Sequence, residues 1–479
     1  MSQSVDHVAL LPLYLAAGTA VLAFLADLFI ARRAAVLATT WLGTLATAVS
    51  ALAVGAHAGT FCTQGACSWV PTWPAAVTAA LFAALTAGVL AFSAPALRVG
   101  FAPAGEFCFL LACSMTGGVV VAYAGDLISL IVGLETLTLP LYVLVGLRRP
   151  ATAVAASASL TFFLISVVST AIALLGIALN YAATGAVHLA LLTAPSPSFR
   201  AVSEVGVALL VTGLAFKVAA VPLHAWAPAT YDGAPIPIAA YLSTASKLGG
   251  ILALAAVVTH LEARAILAIL AVLTMTIGNV VALRQTRMIR LLAWSSIAQA
   301  GYILAALALG SPGVPAALAY AVFFITLEFL AFGVVVALCP PGASAGPITD
   351  FRGAGRRSPW LGAALVLSFA GLAGLPPGLA GLFAKLSVVD ALIAHHWSWL
   401  AAVVVLNAVI ALAYYVRVSA LLYTLPPRIG LSVADPVLLD AALHPRLPIT
   451  RPVAAALALT AALAVILGFA PQLLLNALT

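Results

Sequence analysis

Charge is what this sequence has least of. Of its 479 residues 7% are charged and 64% hydrophobic, with a mean hydropathy of +1.20, whereas a soluble domain carries about a quarter charged residues. A water-soluble globule is excluded, and the chain reads as a polytopic membrane protein. No Cys/His spacing of a zinc or iron–sulfur site occurs, no glycine-rich nucleotide loop, and no nucleophile triad. The chain is therefore expected to bind no cofactor or metal itself. No basic region precedes the first apolar run and no small-residue cleavage site follows it, so that run reads as a retained helix rather than a signal peptide.

Apolar runs long enough to cross a bilayer fall at 8–30, 34–55, 73–95, 106–123, 127–147, 153–180, 204–221, 234–257, 263–283, 288–309, 315–338, 359–390, 398–424 and 453–474. They predict an all-α fold of about fourteen transmembrane helices in one membrane domain, 1–479. Arginine alternates from loop to loop. Arg32, Arg33, Arg98, Arg148, Arg149, Arg284, Arg287, Arg290, Arg352, Arg356, Arg357, Arg428, Arg446 and Arg451 share one set of loops, while only Arg200 and Arg264 fall in the other. By the positive-inside rule the first set faces the cytoplasm and both termini face outside. The net charge of +7 is then a topology signal and predicts no nucleic-acid partner.

Lysine departs from that pattern. All three lysines, Lys217, Lys247 and Lys385, fall inside or at the break of an apolar run, and Glu135 lies within another. A charge near the bilayer centre costs on the order of 2.5–3.5 kcal/mol on insertion scales, so its retention marks an ion or proton path by default. Lysine suits proton transfer because burial lowers its pKa readily, whereas arginine stays charged. These residues predict a membrane proton relay.

Two runs are interrupted. Pro222 and Pro228 follow Lys217, and Pro376 and Pro377 precede Lys385. Interrupted helices at matching places in two halves point to an inverted-repeat transporter. Counting places them at the seventh and twelfth helices, five apart, so five-helix repeats are expected over helices 4–8 (105–257) and 9–13 (263–424), with helices 1–3 (1–100) before them and a last helix (453–474) after. Backbone groups freed at such breaks must be met by neighbouring protein or water.

Phe216-Lys217, Val221-Pro222-Leu223-His224-Ala225-Trp226-Ala227-Pro228, Tyr231-Asp232-Gly233-Ala234-Pro235-Ile236-Pro237 and Ser243-Thr244-Ala245-Ser246-Lys247 resemble the core signature of the antiporter-like membrane subunits of proton-pumping NADH:quinone oxidoreductase, respiratory complex I. Gly278-Asn279, Trp294-Ser295-Ser296-Ile297, Gly301-Tyr302, Ser368 to Lys385 and Tyr414-Tyr415-Val416-Arg417-Val418 extend the likeness over roughly 105–425. Among three sister subunits the chain resembles the subunit N branch, since it has Lys385 where the middle sister has glutamate and lacks the largest sister's lateral helix. Multisubunit cation/proton antiporters and membrane-bound hydrogenases share the motif around Lys217 and remain alternatives. Glu328 departs from the family pattern, which has small or apolar residues there.

The resemblance implies a subunit of the bacterial cell membrane in which Glu135 and Lys217 form an ion pair, Lys247 passes a proton across the midplane and Lys385 delivers it outward. NADH, FMN, iron–sulfur clusters and quinone are expected in partner subunits. The implied neighbours are the small membrane subunit on the quinone side and the middle antiporter-like subunit. His224 is either a proton-entry residue or a hydrogen-bonded loop histidine, and Glu328 either a relay member or a structural partner. Arg417 is expected to pin carbonyls or a carboxylate between helices. Cys62 and Cys67 lie in a loop assigned outside, where an oxidising compartment could join them; a bridge and two free thiols are both open.

Overall fold

The computed structural model describes residues 5–192, 195–425 and 449–473. The helices are α1 (Leu11–Ile30), α2 (Arg33–Val54), α3 (Trp73–Arg98), α4 (Ala104–Tyr123), α5 (Leu127–Gly146), α6 (Ala153–Thr184), α7 (Arg200–Lys217), α8 (Trp226–Gly233) and α9 (Ile236–Val258). Then follow α10 (Arg264–Ala282), α11 (Met288–Leu307), α12 (Val314–Leu338), α13 (Pro359–Ala373), α14 (Leu379–Ala394), α15 (Ser398–Tyr423) and α16 (Arg451–Phe469). Among the described residues thirteen helices are long and apolar enough to cross a membrane singly, and the pair α13/α14 supplies one more crossing. The described residues are thus nearly all helical with fourteen crossings, of which the seventh (α7/α8) and twelfth (α13/α14) are broken. Two five-crossing repeats, α4–α9 and α10–α15, each hold one break. Arg428, Arg446 and the C-terminal residue Thr479 lie outside the described residues.

Local chemistry sets the ends of these helices. The carboxylate of Asp126 accepts from the amides of Ile128 and Ser129 at 2.8 and 2.7 Å and caps α5. The hydroxyls of Thr72 and Thr152 likewise accept from Ala75 and Ala155 to cap α3 and α6. After α7 the chain turns through Ala219 in the left-handed region (φ 58°) before Pro222, and α13 stops at Gly374, also left-handed, ahead of Pro376 and Pro377. The run expected at 204–221 thus ends four residues early, because the residue before a proline disfavours helix and the proline offers no N–H to continue it. Side chains from other helices take up the freed backbone. Thr274 accepts from the Val221 amide at 2.9 Å, Trp226 donates to the Phe216 carbonyl at 3.3 Å, and Lys385 and Gln299 both donate to the Leu372 carbonyl, at 2.5 and 3.1 Å.

Loops gather at two ends. One end carries the hairpin β1 (Thr60–Thr63) and β2 (Ala66–Trp69), with Cys62 opposite Cys67 and their sulfurs bonded. Hydrogen bonds tie this hairpin to the α4–α5 turn, Val70 donating to Tyr123 and Gly125 to Ser68, while Leu189 donates to Gly125. His395, His396, Trp397 and Trp399 fall on this end too, the two tryptophan rings 6.0 Å apart. The other end holds the arginine-bearing loops. There Arg287 pairs with Asp232 at 2.9 Å, and Arg417 donates to the carbonyls of Leu283 and Gln285 at 2.6 and 2.9 Å. Arg417 therefore pins carbonyls, the first of its two expected roles.

α9 and α11 are the most enclosed of the spans, whereas only about a third or fewer of the residues of α1, α2, α6 and α16 are buried. Small residues bring helices close where polar groups must meet, as is common between membrane helices. A Cβ at Gly213 of α7 would lie 2.6 Å from the Ser169 carbonyl oxygen of α6. That contact sets Ser166, about one turn before it, and the adjacent Thr170 against the end of α7 where Lys217 sits.

Candidate functional site

The buried charges fall in three polar groups between α5 and α14. Lys217 is the last residue of α7, where the helix C-terminus favours a cation. Its ammonium donates to Glu135 Oε1 at 2.7 Å, Thr138 Oγ1 at 3.1 Å and Ser166 Oγ at 3.1 Å. All three ammonium hydrogens are thereby used. Thr170 donates to the same Glu135 oxygen at 2.6 Å, and Tyr142 donates to Ser166 at 2.5 Å. Lys217 is 4% exposed and Glu135 21%. Glu135 shares a helix face with the exposed Val132, Leu139 and Val143, so the carboxylate end of the pair opens on the outer surface of the chain while the ammonium end is sealed.

Lys247 follows one π-helical turn, Leu242–Ser246, within α9, a local widening that often marks functional sites. Its Nζ lies 2.5 Å from both the carbonyl oxygen and the Oγ of Ser296 on α11. Ser243 is 2.9 Å from Ser296 Oγ and donates to Glu328 Oε1 of α12 at 2.9 Å. Glu328 is fully buried. Between this group and the first, α7 packs directly on α9: a Cβ at Gly250 would lie 2.9 Å from Lys217 Cβ, and Gly250 is three residues beyond Lys247.

Lys385, on α14, donates to the Leu372 carbonyl at 2.5 Å and lies 5.4 Å from the centre of the Tyr302 ring. Gln299 donates to that carbonyl and to Tyr415 Oη at 3.2 Å, and Tyr415 is 2.5 Å from Ser295 Oγ. Tyr320 donates to Gln299 Oε1 at 2.5 Å, and Asn279 donates to Tyr302 at 3.0 Å. The Lys247 and Lys385 groups thus meet on α11, where Ser296 belongs to the first and the next residue back, Ser295, bonds Tyr415 of the second. Among the described residues no carboxylate lies within ion-pair distance of Lys385 or Lys247, and no cluster of three metal-ligating side chains occurs.

Glu135, Lys217, Lys247, Glu328 and Lys385 thus fall in three neighbouring polar groups. His224 belongs to none of them: its ring lies 5.1 Å from Trp294 and its Nδ1 is 3.3 Å from the Pro222 carbonyl. Sequence reasoning missed Ser166, Thr170 and Gln299, and named Ser243, Ser296 and Tyr415 only as motif residues without a place at the site. One signal was available. On α11, Ser295, Ser296, Gln299 and Tyr302 recur at one helical turn in an otherwise apolar run, and polar residues so spaced in a membrane helix mark a face turned to other helices.

The model of the family described as NADH:quinone oxidoreductase/Mrp antiporter, TM, matches residues 124–411. A subunit N of NADH-quinone oxidoreductase from Salinispora tropica is 54% identical, the match covering 99% of both chains. The chain belongs to the antiporter-like membrane subunits of NADH:quinone oxidoreductase, on the subunit N branch. A chain of respiratory complex I from Thermus thermophilus superposes with a TM-score of 0.78 at 27% identity, over 98% of this chain and 99% of that one. A chain of the Mrp complex from a Dietzia species superposes with a TM-score of 0.82 at 23% identity, over 99% and 96%. Both branches of the family therefore share the fold, and it is sequence identity that separates them.

Proposed function

We propose that the chain is a non-redox, proton-translocating part of the membrane arm of NADH:quinone oxidoreductase, and that its buried charges are the relay. Electrons pass elsewhere. NADH, FMN, iron–sulfur clusters and quinone belong to partner subunits, and energy from quinone reduction reaches this chain electrostatically, through the small membrane subunit on the quinone side and the middle antiporter-like subunit as neighbours in the bacterial plasma membrane. The arginine-bearing end faces the cytoplasm.

The observation that carries the reading is the asymmetry of the Glu135–Lys217 pair, whose carboxylate opens on the outer surface of the chain while the ammonium is sealed in. A charge moved in a neighbouring subunit can pull on Glu135 from outside. With the carboxylate drawn away, Lys217 keeps only hydroxyl partners and the desolvated ammonium gives up its proton. Lys247 takes it up beyond the contact of α7 with α9, and the path through Ser295, Tyr415 and Gln299 leads to Lys385 and the outer end. The identity of 54% to a subunit N over full length favours this role over that of an Mrp-type antiporter subunit, with which the likeness is one of fold.

Lys217→Ala tests the reading. In membranes with fully assembled complex, NADH:quinone turnover and proton uptake should both fall, although Lys217 touches no redox centre. Turnover and uptake at the level of the unaltered complex would leave only a scaffold role.

A further inference from the structure

Glu328 is the one buried carboxylate among the second repeat's described residues. It is fully buried, which for a carboxylate without a purpose is expensive. No cation touches it directly. Instead two hydroxyls stand between it and Lys247, with contacts of 2.5 Å from Lys247 Nζ to Ser296 Oγ, 2.9 Å from Ser296 to Ser243, and 2.9 Å from Ser243 to Glu328 Oε1.

The ends of this chain dictate where every hydrogen lies. An ionised carboxylate only accepts, so Ser243 spends its single hydrogen on Glu328. Ser296 must then donate to Ser243, and its remaining lone pair faces the Lys247 ammonium, which only donates. The four groups are therefore aligned head to tail as an uninterrupted proton wire from Nζ to Oε1. A concerted shift breaks the Lys247 N–H, Ser296 O–H and Ser243 O–H bonds and forms O–H bonds at Ser296, Ser243 and Glu328. Two charges become none, one neutral amine and one carboxylic acid, with the serine hydroxyls reversed and no electron displaced.

We propose that Glu328 is the proton acceptor of Lys247, reached through Ser296 and Ser243, so that a carboxylate of the second repeat is coupled to a lysine of the first. The inference rests on the relay reading above and adds a site to it. Glu328 and Lys247 share a proton in the resting arrangement, and approach of the proton from Lys217 repopulates Lys247 while Glu328 holds the earlier one. Glu328 Oε2 is buried without a hydrogen-bond partner, so the carboxyl keeps a free oxygen when Oε1 takes the proton, and Tyr231 of α8 packs beside Glu328, Ser243 and Ser296.

The test uses the whole complex in native membranes, with the amount of assembled complex measured for each variant. Glu328→Gln keeps the shape and an oxygen for Ser243 but cannot take a proton. NADH:quinone turnover should fall on the order of 10²-fold, as for loss of a positioned proton-transfer group, and Glu328→Asp should recover part of it. Ser243→Ala, which leaves Glu328 in place and cuts the wire, should lower turnover in the same direction. Infrared difference spectra on quinone reduction should show a carboxylic-acid signal that Glu328→Gln abolishes, which a merely structural role would not produce. Unchanged turnover in Glu328→Gln and Ser243→Ala together with loss in Lys217→Ala overturns this inference alone. Unchanged turnover in Lys217→Ala overturns the relay itself.

Discussion

Replacing Lys217 and Lys385 separately by methionine, of similar length and no charge, should have opposite effects on stability. Lys217→Met strands Glu135, which keeps only the Thr170 hydroxyl. Removing one partner of a buried ion pair costs about 3–5 kcal/mol, and since Glu135 is 21% exposed the lower end, about 3 kcal/mol, applies. Lys385 has no carboxylate at ion-pair distance among the described residues, and the Leu372 carbonyl it bonds keeps the bond from Gln299 at 3.1 Å. Lys385→Met therefore removes a desolvated cation and orphans nothing, so it should be neutral or stabilising by on the order of 1 kcal/mol. Adding Glu135→Gln to Lys217→Met should recover most of the loss, because the pair shares one interaction. Thermal release of the chain from purified complex, followed on native gels, measures this. Equal losses for the two methionine variants, or a larger one for Lys385→Met, would refute the reasoning.

Three further outcomes follow from the geometry. A reporter inserted in the Arg284–Arg290 loop should read cytoplasmic and one in the Thr60–Trp69 hairpin should read outside; the reverse would overturn the orientation drawn from the arginines. Cys62 and Cys67, bonded in that hairpin, should resist impermeant thiol reagents until reductant is added, and immediate labelling of both would contradict the bridge. Arg417→Ala removes two charge-assisted bonds to the Leu283 and Gln285 carbonyls and should lower the stability of the assembled chain by about 1–3 kcal/mol, with the turnover of what remains unaltered; a loss of turnover without a loss of assembly would contradict a pinning role.

The charged members of the site were legible in the sequence because charge is expensive in a membrane. Lys217, Lys247, Lys385 and Glu135 stand out against apolar runs, and the two broken crossings announce themselves through Pro222 and the Pro376-Pro377 pair. The hydroxyl groups were not legible, for a physical reason. Thr47, Thr116 and Thr460 donate to the carbonyl four residues back in their own helices, which is how an isolated hydroxyl satisfies itself in an apolar helix. Ser243 and Ser296 look no different in sequence, yet they bond across helices, and only packing tells the two uses apart. The same applies to Glu328, whose burial the sequence implied but whose link to Lys247 runs through residues of two other helices. The hairpin at Thr60–Trp69 was read only as a loop, since two four-residue strands are too short to show a period.

Lys217→Arg is the most direct test of the central claim, that a buried lysine must give up its proton for the complex to turn over. Arginine keeps the charge that pairs with Glu135, so the chain should assemble, but guanidinium does not release a proton at any accessible pH. The account predicts assembled complex in normal amount with NADH:quinone turnover and proton uptake both lost. Assembled Lys217→Arg complex that turns over and pumps at the rate of the unaltered enzyme would contradict it.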